Sequence, residues 1–299
     1  MTKGGEAKKH HWWPKGLQRY WADANDDVWW ITPNGKTARD RRHRGDVGVI
    51  VHGHTLFRGD VWQNSFEAQF SIDTKVHNIV EALIDLVPDG HCYGAPKHFH
   101  IADKTNRDLT LLILSLLIRS PSQRHIYELY PTMANLPPNE NVGKANMNQQ
   151  YRIARRLCES GIVGNRHFTL LHSQESGFIY GDGCLDWLSG NLMANRVSGR
   201  ALIALTPHLC VYLNTPTMMR GDRNCAAIRA TTSMIEKANA LTQIYAKEKL
   251  FYVGTPPELT ADFRRNQFLQ HEIFTDSWFD ELDELTGHSD RRLGLLTGW

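Results

Sequence analysis

The chain has 299 residues, 41% of them hydrophobic and 22% charged, with 34 Lys and Arg against 32 Asp and Glu. These proportions exclude a disordered, collagen-like or disulfide-stapled chain and leave an ordinary globular protein. It is long enough for one large domain or two moderate ones. Five cysteines with no Cys-x-x-Cys pair suit a reducing compartment, and the polar N-terminus carries no signal-like apolar block. The longest apolar run, Leu109–Ile118, falls far short of the roughly 20 residues a spanning helix needs. No membrane association is expected, and the expected location is cytoplasmic.

The near-neutral total hides a polarity. Residues 1–58 carry 11 Lys and Arg against 6 Asp and Glu, whereas residues 256–299 carry 4 against 9. Six of the nine tryptophans fall in the first 62 residues. A basic, Trp-rich front end implies either a polyanionic partner or an attraction between the two ends of the chain.

Residues 1–9 read as a flexible tail. Val28–Thr32 is β-branched and aromatic, and Pro33-Asn34-Gly35-Lys36 is a turn leading to a second strand that the basic stretch Arg39–Arg44 interrupts. Val47–Val51 is a third short strand. Asn64–Val87 has a continuous helical pattern with Asn64 or Ser65 at its head and Pro88 beyond its end. Thr105–Ile118 is a buried helix closed by Ser120-Pro121. Residues 131–144 read as a surface loop, and Ala145–Ser160 as a helix capped by Gly161. His167–His172, Phe178–Tyr180 and Ala201–Leu213 read as strands, with Pro207 demanding a break in the last. Asp222–Lys249 reads as one long helix, Leu250–Val253 as a final strand, and Ser277–Leu285 as a short helix. The expected class is α+β. A small Trp-rich β layer comes first, then central helices, then C-terminal strands packed with a long helix. Residues 10–253 form a single domain, and 254–299 an acidic extension.

On a helix that turns about 100° per residue, Asp73 and His77 share the stripe formed by Phe66, Phe70, Val80 and Ile84. An acid and an imidazole on a core-facing stripe must be paired, hydrated or bound to something. Three readings remain open: a structural Asp–His pair, Asp73 as the N-cap of a shorter helix, or a metal or acid–base site. Glu67 lies at the edge of the same stripe.

Several short motifs resemble domain of unknown function 4238, a mostly bacterial family. They are His11-Trp12-Trp13-Pro14 followed by Leu17, the acidic positions Glu67 and Asp73 at a helix head, and Phe178-Ile179-Tyr180-Gly181-Asp182. An apolar strand with a proline, Leu205–Leu209, and a helix through Asn239–Ala246 complete the likeness, which spans residues 10–253. The chain departs from the family pattern in having Asp73 where Glu is usual, and Asp182-Gly183-Cys184 where Asp-Asn-Pro is usual. The resemblance carries positions without an activity, and it implies that His11, Glu67, Asp73 and Asp182 come together.

One imidazole and three carboxylates suit Mg²⁺ or Mn²⁺ better than zinc, and such a cation activates water for phosphodiester hydrolysis. On this reading Glu67, Asp73 and Asp182 hold the cation, Asp73 also serves the chemistry, and His11 or His77 (or His10) moves protons. The alternative role for His11 is an anchor among tryptophans, and for Asp182 a turn-former bonded to its own backbone. RNA or DNA would be met by Arg39, Arg41, Arg42 and Arg44 beside tryptophans, with Arg152, Arg155 and Arg156 as a second basic cluster. His91-Cys92 and His98-Phe99-His100 are weak zinc candidates, and Cys184 is a nucleophile without a visible activator. The leading expectation is therefore a metal-dependent nuclease or phosphodiesterase. The alternatives are a non-catalytic interaction module with a structural buried polar cluster, and a metal-independent nuclease using His and Arg. Oligomeric state is not legible.

Overall fold

The computed structural model describes residues 9–58, 61–63, 70–86, 92–161, 164–175, 177–219, 222–266 and 277–288. The architecture is α+β. Its centre is a six-stranded sheet in the order Leu185–Asp186, Arg200–Thr206, Leu209–Asn214, His167–His172, Cys225–Arg229, Pro96–Phe99. Every neighbouring pair is antiparallel except Cys225–Arg229 with His167–His172, which run parallel. The four longer strands are almost wholly buried, so they read as apolar runs rather than alternating ones.

The front end forms a second, four-stranded sheet in the order Thr37–Arg41, Asp27–Ile31, Leu250–Tyr252, Tyr180–Gly181. Lys9–His11 pairs antiparallel with Val49–Val51 in a separate two-stranded sheet, and Leu56–Arg58 pairs antiparallel with Val61–Gln63 in another. The Trp-rich β layer is thus completed by strands from the far end of the chain. Its tryptophans face inward: Trp12, Trp13 and Trp21 are buried. Trp13 stacks on Tyr180 at 4.5 Å and leans on Phe251 at 4.6 Å. The Trp21 indole N–H donates to the Leu205 carbonyl at 3.1 Å and so ties the front end to the central sheet. Burying three such rings removes several hundred Å² of apolar surface from water, on the order of 2–3 kcal/mol each by transfer.

The helix Asp103–Arg119 fills the interior, with every residue from Leu109 to Arg119 buried, which explains its unbroken apolar run. It stops at Ser120, whose hydroxyl caps the next helix, Pro121–Leu129, by accepting from the Gln123 N–H. The following long helix, Glu140–Ser160, starts five residues before the expected point. The Asn139 side chain accepts from the amides of Asn141 and Val142, so the Pro/Asn-rich stretch ends in an N-cap rather than running on as loop. Gly161 closes the helix in the left-handed conformation, as its position implies.

Two expected helices differ. Within Asn64–Val87, residues 64–69 and 87 lie outside the described set. The remainder is a 3-10 turn, Ser71–Lys75, followed by an α-helix, Val76–Ile84. Asp222–Lys249 is not one helix: Cys225–Arg229 is a strand, and only Thr232–Tyr245 is helical. The Ala-Ala pair at 226–227 favours a helix locally, but backbone pairing on both sides overrides that preference. The break expected at Pro207 is present as the turn between Arg200–Thr206 and Leu209–Asn214.

The acidic segment contributes the helix Ser277–Leu285, and Phe279 stacks on Tyr212 of the central sheet at 5.3 Å. Asp280 and Asp283 pair with Arg200 at 2.7 and 2.6 Å, and Glu281 pairs with Lys237 at 3.3 Å. In these pairs the tail's charge meets the middle of the chain rather than the basic front. Among the described residues no helix is long and apolar enough to cross a membrane.

Gly183 sits where the Tyr245 carbonyl and the Ser122 hydroxyl both close in, and a Cβ there would overlap the two. Gly183→Ala should cost about 3 kcal/mol in urea unfolding. Gly190→Ala, at a position with open space around it, should be nearly neutral in the same measurement.

Candidate functional site

The 3-10 turn turns Asp73 away from the face His77 occupies, because its three residues per turn break the 100° count on which a shared stripe depends. The buried stripe of the helix is Val76, Ile79, Val80 and Leu83, while His77 is exposed. The His77 Nδ1 lies 3.0 Å from the Tyr20 hydroxyl and 3.5 Å from Glu81. The Tyr20 hydroxyl donates to Glu81 at 2.7 Å. The expected Asp73–His77 pairing is therefore absent, and His77 belongs to a surface group with Tyr20 and Glu81.

Asp73 pairs instead with Arg119. The guanidinium donates to both carboxylate oxygens, at 2.9 and 2.8 Å, while Arg119 is buried and Asp73 remains 29% exposed. Arg119 also donates to the Ser115 carbonyl at 3.2 Å and to the His11 carbonyl at 3.4 Å, and lies over the Phe70 ring at 4.1 Å. His11 and Asp73 are thus connected, through the backbone of one and the side chain of the other. Next to this node the His54 amide donates to the His10 Nδ1 at 2.7 Å, and the two imidazoles stack at 5.1 Å. Arg119 carries no signal in any short motif. What marks it is a charge directly after the apolar run Leu109–Ile118 and immediately before Ser-Pro.

Asp182 is buried and clamps a different segment. Its Oδ1 accepts from the Lys247 amide at 2.6 Å and its Oδ2 from the Glu248 amide at 2.9 Å. Its own N–H donates to the Lys249 carbonyl, and its carbonyl accepts from the Ser122 amide. Burial pushes the carboxyl up to about 6, against the opposing pull of those backbone N–H groups. A cavity of about 300 Å³ adjoins it, its wall of mixed sign including Asp40, Asp46, Glu128 and Glu248 together with Arg124, Lys247 and Lys249.

Both oxygens of Asp73 and both of Asp182 therefore already accept hydrogen bonds, and Glu67 lies outside the described residues. Among the described residues no three His, Cys, Asp or Glu side chains are placed to hold a metal ion. Of the donor set expected for Mg²⁺ or Mn²⁺, Asp73 and Asp182 are each engaged by the chain's own donors. Of the weaker candidates, the Cys184 thiol is pushed well up by burial, which removes thiolate character. The His100 Nδ1 is engaged by the Asp222 carbonyl at 2.6 Å.

The basic front strand is charge-compensated. Arg39 and Arg41 approach Asp27 at 3.1 and 3.6 Å, and Arg42 pairs with Asp26. Arg44 is exposed beside the 3-10 turn Arg42–Arg44. Trp29 and Trp30 are half-buried and carry cations on their rings: Arg39 at 5.2 Å and Lys249 at 4.2 Å. These rings offer little for a base to stack on.

The second basic cluster forms a cleft. Tyr151, Arg152, Arg155, Arg156 and Glu159, all on the helix Glu140–Ser160, line a depression of about 440 Å³. Arg155 is tied to Glu159 at 3.0 Å, Arg156 donates to the Asn195 side chain, and Arg152 is exposed. Tyr151 links this cleft to the Arg119 node, since its ring meets Phe70 at 4.5 Å. Burial pushes its hydroxyl up to about 12, with Arg119 and Asp73 acting on it in opposite senses.

No family model, curated protein or solved structure matches the chain. The likeness to domain of unknown function 4238 rests on the residues quoted above.

Removing the carboxylate opposite a buried guanidinium leaves an uncompensated charge. Asp73→Asn should cost about 3 kcal/mol or more in urea unfolding, and adding Arg119→Met should recover much of that loss. The folded chain holds the Asp182 proton more tightly than the unfolded chain. Its stabilising contribution is therefore complete below 3.8 and lost as pH rises through about 6. Across that interval, stability of the wild type relative to Asp182→Asn should fall with increasing pH. A constant difference would show that Asp182 does not titrate there.

Proposed function

We propose that this protein is a non-catalytic module that binds the phosphate backbone of RNA or DNA in the arginine-lined cleft of the helix Glu140–Ser160. The observation carrying this reading is the depression of about 440 Å³ lined by three arginines and a single carboxylate, Glu159, to which Arg155 is tied. Guanidinium groups recognise phosphate by paired N–H donation and release counterions on binding. The Arg119–Asp73 pair and the Asp182 clamp act in this reading as structural ties. They hold the first strand and the 247–249 turn in place and spend their donors and acceptors on the chain itself. The front-end arginines have a minor part, because Arg39, Arg41 and Arg42 already face Asp26 or Asp27.

A second reading, a nuclease or phosphodiesterase, is favoured by one observation. The Asp73 carboxylate is partly exposed while its guanidinium partner is sealed, which leaves an oriented acid close to the phosphate-binding cleft. His11 and Glu67 would then complete the chemistry, with Mg²⁺ or Mn²⁺ as an added requirement or without a cation.

Titration of fluorescent single-stranded RNA, single-stranded DNA and duplex DNA across a salt series separates these ideas. Joint Arg152→Ala, Arg155→Ala and Arg156→Ala should weaken binding about tenfold or more and reduce the logarithmic salt slope by about 2–3. Joint Arg39→Ala, Arg41→Ala and Arg42→Ala should change it far less. Equal affinity of the cleft variant and the wild type for all three probes would refute the module. Cleavage of labelled RNA or DNA with Mg²⁺, Mn²⁺ or chelator, lost in Glu67→Gln or His11→Asn, would establish the enzymatic reading in its place.

A further inference from the structure

The helix Thr232–Tyr245 presents one face to two segments remote from each other in sequence. Glu236, Asn239, Ala240 and Gln243 recur at intervals of three and four residues, so they share that face. The Asn239 side chain takes the place of a peptide group: its Oδ1 accepts from the Ile179 N–H at 3.1 Å, and its Nδ2 donates to the Gly177 carbonyl at 2.7 Å. One turn further on, Gln243 repeats the pattern. Its Nε2 donates to the Glu258 carbonyl at 3.0 Å, and its Oε1 accepts from the Thr260 N–H at 2.8 Å. Each amide thus fixes a carbonyl and an N–H that lie two residues apart. Both held segments, together with Tyr252 and Val253, line a cavity of about 400 Å³. That volume falls in the range of small-molecule sites.

The chemistry of the wall is one-signed. Glu236 and Glu258 line it and are exposed, which places them at its rim, and no Lys, Arg or His is present among the described residues lining it. Neither carboxylate is in an ion pair among the described residues, and the adjacent Lys237 is taken by Glu281 at 3.3 Å. Ile179, Val253, Pro257 and Leu259 supply apolar surface. Tyr252 adds an independent feature. It is 3% exposed and sits in a cluster with Ile179 and Phe263, against which Leu259 packs. Its strand neighbour Phe251 points the other way, toward Trp13. The Tyr252 hydroxyl makes no hydrogen bond among the described residues, yet it is not one of the polar atoms sealed from water. Burial pushes this phenol above its ordinary range, so it stays protonated and uncharged at neutral pH.

We infer that this cavity binds a small organic cation, a protonated amine with an aryl or alkyl body, its ammonium at the rim that carries Glu236 and Glu258 and its body against the apolar wall. Two carboxylates without a lysine or arginine beside them give the cavity a negative potential, which favours a cation and repels an anion. The Tyr252 ring attracts positive charge by its face, and its hydroxyl oxygen has lone pairs for an ammonium N–H. Because the two glutamates are exposed, their charge supplies selectivity while burial of the ligand's body supplies most of the affinity. Asn239 and Gln243 spend their amides on the chain, so they fix the shape of the site rather than contact the ligand. The site shares no residue with the arginine cleft and does not depend on the proposed nucleic-acid binding.

Calorimetric titration of the full chain with phenethylamine tests this directly. Phenethyl alcohol and phenylacetate serve as neutral and anionic counterparts, and methylamine as an ammonium without a body. Phenethylamine should bind with a Kd of about 1 mM or below, about fivefold more tightly than the alcohol and about tenfold or more tightly than phenylacetate or methylamine. Joint Glu236→Gln and Glu258→Gln should weaken phenethylamine binding about fivefold and leave the alcohol unaffected. Tyr252→Phe keeps the ring and should weaken it about threefold. Glu248→Gln removes an exposed carboxylate that does not line this cavity and should change nothing. Both glutamates are exposed, so their joint replacement tests the site without touching the core. No binding of phenethylamine up to about 10 mM would overturn the inference, as would equal binding of the amine and the alcohol, or unchanged amine affinity in the joint glutamate variant.

Discussion

The guanidinium of Arg119 is the point on which the arrangement of the front half depends. It sits at the end of a helix whose C-terminal half carries no other charge, and it is itself sealed from water. A buried cation is tolerable only with its donors satisfied and its charge met. Here the Asp73 carboxylate supplies the charge, the carbonyls of Ser115 and His11 take further N–H groups, and Phe70 lies against the guanidinium plane. One side chain thereby joins the first strand, the 3-10 turn and the central helix, three segments far apart in sequence. The buried tryptophans then close over the adjacent strands, with Trp13 against Tyr180 and Phe251.

A second tie of the same kind is made by Asp182, which replaces a distant charge by backbone amides. Its carboxylate caps the amides of Lys247 and Glu248, and its main chain reaches Lys249 and Ser122. The two ties share a logic. Each settles a buried ionisable group with hydrogen bonds from segments that local sequence preference leaves undirected. Asp73 and Asp182 are thus held by different segments, the one by Arg119 and the other by the amides of Lys247 and Glu248. The depression along the long helix and a cavity at the end of the central sheet are lined by other residues.

Much of the secondary structure was legible because it rests on short-range chemistry. The hairpin turn Pro33–Lys36, the Ser120-Pro121 stop, the Gly161 cap, the break at Pro207 and the helix Ser277–Leu285 each follow from residues within a few positions. Local preference over Cys225–Arg229 favours a helix, and what makes it a strand is a partner on each side. A regular helix through Ser71–Lys75 would put Asp73 and His77 on one face. A tighter turn over those five residues was enough to separate them.

The amino-acid sequence by itself determined the α+β class, the buried central helix and the charge polarity of the two ends. It also marked Asp73, Asp182 and the Arg152–Arg156 cluster as residues needing an explanation. These properties come from composition, periodicity and capping, which act over one to a few turns of chain. Only the tertiary structure decided which partner each of those groups meets: Arg119 for Asp73, backbone amides for Asp182, Asp27 for Arg39 and Arg41. It also decided that His172 and Arg229 lie side by side at one end of a sheet. Burial, and with it the cost of leaving a polar group unpaired, depends on what packs around a residue, and that packing is made by segments remote along the chain.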